Sequence, residues 1–165
     1  MTFIPKAMLL VAGLALAACA GPGRFGAGGG ADGAIPGSVG DPSSPAYFQQ
    51  TVGDRIFFAV DQSSLSPEAQ SVLDGQIDWL ARNPAFNAVI EGHADEQGTR
   101  EYNLALGARR ANAVMEYMVS RGVPEGRLRF VSFGKERPVE ICSSESCYEK
   151  NRRAVTVLSA DAPTG

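Results

Sequence analysis

The sequence predicts an α+β fold, a mixed four-stranded sheet with two main helices packed on one face in the order βαβαβ-β. Three observations predict it. Two long segments carry apolar residues at helical spacing, four short segments read as strands, and the two kinds alternate after residue 47. A plain α/β sandwich with no special site shows the same alternation, so the motifs must decide function.

The first strand is Arg55 to Val60. Ser66-Pro67-Glu68 then supplies an N-cap, a proline at the first helical position and an acid in the first turn. Ala69, Val72, Leu73, Ile77 and Leu80 form the apolar stripe of the helix that follows, which stops at Asn83-Pro84. Ala88 to Gly92 is the second strand. A longer helix runs from Arg100 to Arg121, closed by Gly122 with Pro124 just beyond. Leu128 to Phe133 and Ala154 to Ser159 are the third and fourth strands.

The 165 residues suffice for one ordinary domain. Lysine and arginine total 15 against 18 aspartates and glutamates, which argues against general nucleic-acid binding. Ahead of the domain, Lys6 precedes an apolar run that ends in Leu16-Ala17-Ala18-Cys19. A positive residue followed by about a dozen apolar ones is a secretory signal, too short to span a bilayer. Leucine, two small residues and cysteine resemble the lipobox of bacterial lipoproteins. That resemblance implies cleavage after residue 18, acylation of Cys19 and, with Ala20 rather than an aspartate next, sorting to the outer membrane with the domain facing the periplasm. Residues 1–18 are then the signal peptide and 19–46 the lipid anchor and linker. The linker is mostly Gly, Ala, Pro, Ser and Asp, which cannot bury enough surface to offset ordering entropy. About 30 such residues span roughly 30 Å on average and near 100 Å when taut. The folded domain is expected over 47–160.

Three segments carry chemistry: Glu91 to Thr99, leaving a strand and entering a helix; Asn103 to Val114 on that helix; and Gly134 to Pro138 with the later Asn151-Arg152-Arg153. At about 100° per residue, Asn103 and Arg110 lie only about 20° apart around the axis, with Leu106 between them. Asp95 sits just before the helix, so an acid and an arginine can converge at one rim. Such a rim suits a zwitterion, since a guanidinium fork matches a carboxylate and an aspartate accepts an ammonium. On geometry alone, an ion pair between Asp95 and Arg110, or an aspartate that caps the turn, is the commoner reading.

These segments resemble the OmpA-like peptidoglycan-binding domain family over residues 55 to 159. The family's helix pattern is met by Asn103, Leu106, Gly107, Arg110, Ala111 and Val114, and Gly92-His93-Ala94-Asp95-Glu96 and Tyr102-Asn103 complete it. The resemblance implies binding of the meso-diaminopimelate of the peptidoglycan stem peptide, whose side chain ends in an amine and a carboxylate. Asp95 would take the ammonium, Arg110 the carboxylate, Leu106 would pack on the aliphatic stem and Asn103 would brace the loop or add a polar contact. Asn151 and Arg152 would line the rim. The family's first strand commonly ends in Phe-Asp, where this chain has Phe58-Ala59 with Asp61 two residues on. Contacts by the backbone of Phe58 and Ala59 would survive that change and a side-chain contact would not. The resemblance further implies TolB and other Tol-Pal proteins as partners, TolB competing for the same rim, and roles in envelope integrity and cell division.

No cofactor or metal is expected: His93 is the sole histidine, and it is assigned to fixing the strand-to-helix turn by hydrogen bonds. Glu91, Asp95 and Glu96 do not make a glycosidase pair, which needs carboxyls about 5 to 9 Å apart and one held protonated. The expectation is a binding module, not an enzyme, with a peptidoglycan hydrolase as the alternative. Cys142 and Cys147, the thiols left once Cys19 is acylated, are expected to form a disulfide in the oxidising periplasm.

Overall fold

The structure, a computed structural model, describes residues 35–160; the signal segment, Cys19 and the first part of the linker lie outside them. The strands are β1 (Arg55–Phe57), β2 (Asn87–His93), β3 (Leu128–Gly134) and β4 (Arg153–Ser159). They form one mixed sheet in the order β1-β4-β2-β3, with β2 and β3 parallel and β4 antiparallel to both its neighbours. The helices are α1 (Pro45–Tyr47), α2 (Pro67–Arg82), α3 (Arg100–Ser120) and α4 (Glu145–Asn151). A π-helical turn, Phe48–Gly53, continues α1, and a short 3₁₀ turn, Glu125–Arg127, precedes β3.

The two long helices start where the capping residues place them. Ser66 Oγ accepts the Ala69 N–H at 3.2 Å and Thr99 Oγ1 accepts the Tyr102 N–H at 3.2 Å. Period-two alternation sorts the sheet into an inner face, with Ile56, Ala88, Ile90, Leu128 and Ala154 in the core under the helices, and an outer face. α3 lies unusually close to β2. A Cβ added at Gly92 would stand 1.9 Å from the Gly107 carbonyl oxygen, so these two glycines let helix and strand backbones touch.

Three elements differ from the expectations. The ordered chain begins within the stretch read as linker: Ser44 is buried and caps α1, and Trp79 Nε1 donates to the Pro42 carbonyl at 2.8 Å. Phe48 then packs against Trp79 with ring centroids 4.9 Å apart. This segment has no periodicity because one side chain, Phe48, does most of its burying. The first strand is shorter than Arg55 to Val60. Phe58 N–H still reaches the Arg152 carbonyl at 2.9 Å, but the chain then turns, with Asp61 in the left-handed region at φ 54°. Finally, the polar stretch between the last two strands contains α4, with Cys147 and Asn151 buried.

Candidate functional site

The rim is built where β2 runs out into the 94–98 loop and α3 begins. Asp95 is buried. Its Oδ1 accepts the Gln97 N–H at 3.1 Å, an Asx turn that shapes the loop. Its Oδ2 meets Arg152 Nη1 at 3.2 Å. Arg152, between α4 and β4, also donates through Nε to the Phe58 carbonyl at 3.2 Å and through Nη2 to Glu145. Burial pulls its pKa down, but the bonds to Glu145 and Asp95 outweigh burial and raise it.

Asp95 therefore pairs with Arg152, not with Arg110 as the helix geometry suggested. Arg110 is 0% exposed and lies beneath the rim. Its Nε donates to the Gln62 carbonyl at 2.8 Å, Nη1 to that of His93 at 2.8 Å and Nη2 to that of Ala59 at 3.1 Å. Its guanidinium carbon is 5.1 Å from the centre of the Phe58 ring. One fork thus ties the loop after β1 to the end of β2. Burial lowers the Arg110 pKa to about 10, against the upward pull of Asp95, which still leaves it charged at neutral pH.

Other side chains hold the same loop. Asn103 Nδ2 donates to the Gln97 carbonyl at 2.7 Å, and Lys135 Nζ donates to that of Gly98 at 2.7 Å. Glu96 Oε1 accepts from Ser143 Oγ at 2.7 Å and from Tyr148 OH at 3.0 Å, and these two bonds lower its pKa. Cys142 and Cys147 are joined by a disulfide with Cα atoms 5.9 Å apart, across the start of α4. Leu106 is buried, forming floor instead of wall. Asn151 is buried too: its Oδ1 accepts the Val139 N–H at 2.8 Å and its Nδ2 donates to the Glu140 carbonyl at 2.8 Å, so it shapes a neighbouring loop and does not face the rim. Phe58 is buried, while Ala59 is exposed at the turn.

The OmpA family matches residues 57–152, from the end of β1 to Arg152. The chain belongs to the OmpA family. It is 54% identical over 159 residues to the peptidoglycan-associated lipoprotein of Rhizobium meliloti (strain 1021), covering 93% of this chain and 87% of that one. With the protein of the same name from Haemophilus influenzae it shares 42% over 149 residues, 89% of this chain and 94% of that one. Among solved structures, the peptidoglycan-associated lipoprotein from Burkholderia pseudomallei aligns with a TM-score of 0.65 at 36% identity, over 73% of this chain and 98% of that one. The C-terminal domain of Helicobacter pylori MotB aligns at 0.61 over 66% of this chain and 86% of that one; at 22% identity this shows the shared fold alone.

Each position of the OmpA-family helix pattern has a physical reason here. Asn103 and Arg110 supply loop staples, Gly107 the close approach to β2, and Leu106, Ala111 and Val114 the buried stripe.

His93 departs from its expected role. Its backbone carbonyl takes the Arg110 bond, but neither ring nitrogen has a hydrogen-bond partner among the described residues. The ring is 1% exposed and stacks on Phe133 at 5.6 Å. Burial, then Arg153 and Arg137, push its pKa from 6.5 down to about 4, and Glu91 at 3.6 Å does not reverse this. As pH falls, the unfolded chain takes up this proton before the folded one does. The stability His93 contributes is therefore whole above pH 6.5 and lost between 6.5 and about 4. His93→Phe is expected to remove roughly 2 to 3 kcal/mol of acid destabilisation over that window, read as the difference between urea unfolding curves of the two proteins. Identical pH slopes would sink it.

Sequence reasoning missed Glu145, Ser143 and Tyr148, and it placed Lys135 in a segment of interest without giving it a role. The signal was faint: Ser144 before Glu145 is a helix-start pattern, but only two residues of the short helix are buried.

Proposed function

We propose that this OmpA-family protein is an outer-membrane lipoprotein whose folded domain binds the diaminopimelate of peptidoglycan and tethers the outer membrane to the cell wall within the Tol-Pal system. The observation that carries the reading is the carboxylate-guanidinium pair at one rim, Asp95 with Arg152, within the stretch that matches the OmpA family in a chain whose relatives are named for peptidoglycan. An amine beside a carboxylate matches that pair in reverse order. Asp95 takes the ammonium. Arg152 takes the carboxylate with help from the exposed backbone at Ala59, after the buried Phe58. Arg110 acts from below, holding three carbonyls away from the ligand while its charge favours an anion above it. Leu106 and Asn103 support the floor and the loop. Acyl chains on Cys19, at about 0.8 kcal/mol per buried methylene, make the attachment lasting, and the linker lets the domain reach the wall. TolB, docking on the same rim, competes with the wall.

The test is cosedimentation of the full chain, in detergent, with purified sacculi. Diaminopimelate-type sacculi are expected to pull down the protein and lysine-type sacculi, which lack the side-chain carboxylate, to leave it in solution. Equal binding to both would refute the ligand assignment, and release of soluble fragments would point to a hydrolase instead.

A further inference from the structure

Glu145 occupies an unusual position in the rim. Arg152 has three partners, and they differ in how tightly the fold holds them. The Phe58 carbonyl belongs to a buried residue, and the Asp95 side chain is only 11% exposed. The Glu145 side chain is 62% exposed. Of these three it is the partner that water can solvate when it leaves Arg152, whose own Nη2 then needs a new acceptor. Arg110 offers an incoming carboxylate no alternative, because it is fully buried with its fork on three carbonyls.

The charges run carboxylate, guanidinium, carboxylate across Asp95, Arg152 and Glu145. A zwitterion adds an ammonium beside the first and a carboxylate beside the second, so its carboxylate and that of Glu145 want the same Nη2 donor. The backbone on which Glu145 sits is fixed, since it lies inside the loop that the Cys142–Cys147 disulfide closes over a separation of 5 residues. Side-chain rotation alone exchanges one carboxylate for the other.

We propose that Glu145 is a built-in stand-in for the ligand's carboxylate: it holds the outer donor of Arg152 until a stem peptide displaces it, and so tempers the affinity of the site for amines that carry a free carboxylate beside them. A ligand without that carboxylate cannot dislodge Glu145 and gains only the Asp95 contact. This inference rests on the binding reading above.

Calorimetry with the full chain in detergent tests it, using a stem tripeptide containing meso-diaminopimelate and the same peptide with its side-chain carboxylate amidated. Glu145→Gln keeps the size of the side chain and removes its charge. The free-carboxylate peptide is expected to bind this variant about two- to fivefold tighter than the wild type, the range set by a largely exposed ion pair. Affinity for the amidated peptide is expected to stay unchanged. Equal or weaker binding of the free-carboxylate peptide by the variant, with the wild type still binding, would overturn the proposal, because Glu145 would then support Arg152 or grip the ammonium itself. Failure of both proteins to bind either peptide would remove the binding reading and this inference together.

Discussion

Replacing Arg110 by leucine is expected to destabilise the domain by on the order of 3 to 5 kcal/mol, read as a fall in the urea midpoint at unchanged slope. Two effects oppose each other. Burial of a guanidinium is costly, as its lowered pKa records, and leucine removes that cost. The variant, however, removes only one side of the interaction. The carbonyls of Ala59, Gln62 and His93 stay where the fold puts them and lose the Arg110 donors, at about 1 to 3 kcal/mol for each one left with no other partner, while that of Ala59 keeps the Gln62 N–H at 3.2 Å. The second effect wins unless the loop after β1 swings out to be solvated. Arg110→Lys is not expected to rescue, since one ammonium cannot serve carbonyls on two separate segments with a planar fork's geometry. A loss below about 1 kcal/mol for leucine would mean that the fork is not what closes this loop.

The second large effect is on binding. Asp95→Asn retains an oxygen that can accept the Gln97 N–H, so the turn is kept while the charge is removed. Binding to diaminopimelate-type sacculi is expected to fall about 30-fold or more, since losing one member of a desolvated charge pair costs about 2 kcal/mol or above. Unfolding stability is expected to change much less than in the Arg110 variant. Arg152 keeps Glu145 and the Phe58 carbonyl as partners, so it is not left orphaned. Full binding by a folded Asp95→Asn protein would remove Asp95 from the ligand site.

These outcomes separate two kinds of residue that the linear motif presents alike. Asp95, just before the helix, and Arg110, on its projection, both look like rim charges, because seven residues of helix bring Arg110 back under Asn103. A projection gives the angle around an axis but not the depth. Depth here comes from the glycine contact: with Gly92 and Gly107 touching, α3 sinks toward the sheet and carries Arg110 under the loops. Arg152 then reaches Asp95 from 57 residues away along the chain, a pairing that no local pattern encodes.

The strands, both long helices and the Ser66 cap were legible because each depends on neighbours a few residues apart, as Ser66 does on Ala69; the Thr99 cap, bonded to Tyr102, has the same short range but was not read. The segment from 35 to 53 and the helix α4 were not. Each is secured by a few long-range contacts, such as Trp79 on Pro42 and Glu96 on Ser143 and Tyr148, and these leave no period behind.

By itself, then, the sequence determined the kind of fold, the places where helices begin, and the small set of charged residues from which a site could be made. Tertiary structure decided which of them share a charge: Asp95 with Arg152, Arg152 with Glu145, and Arg110 with backbone alone. The reason is range. Caps and periodicity act within one or two turns of chain, whereas desolvation and the pairing it demands are set by whatever the fold packs on top, from any distance in the sequence.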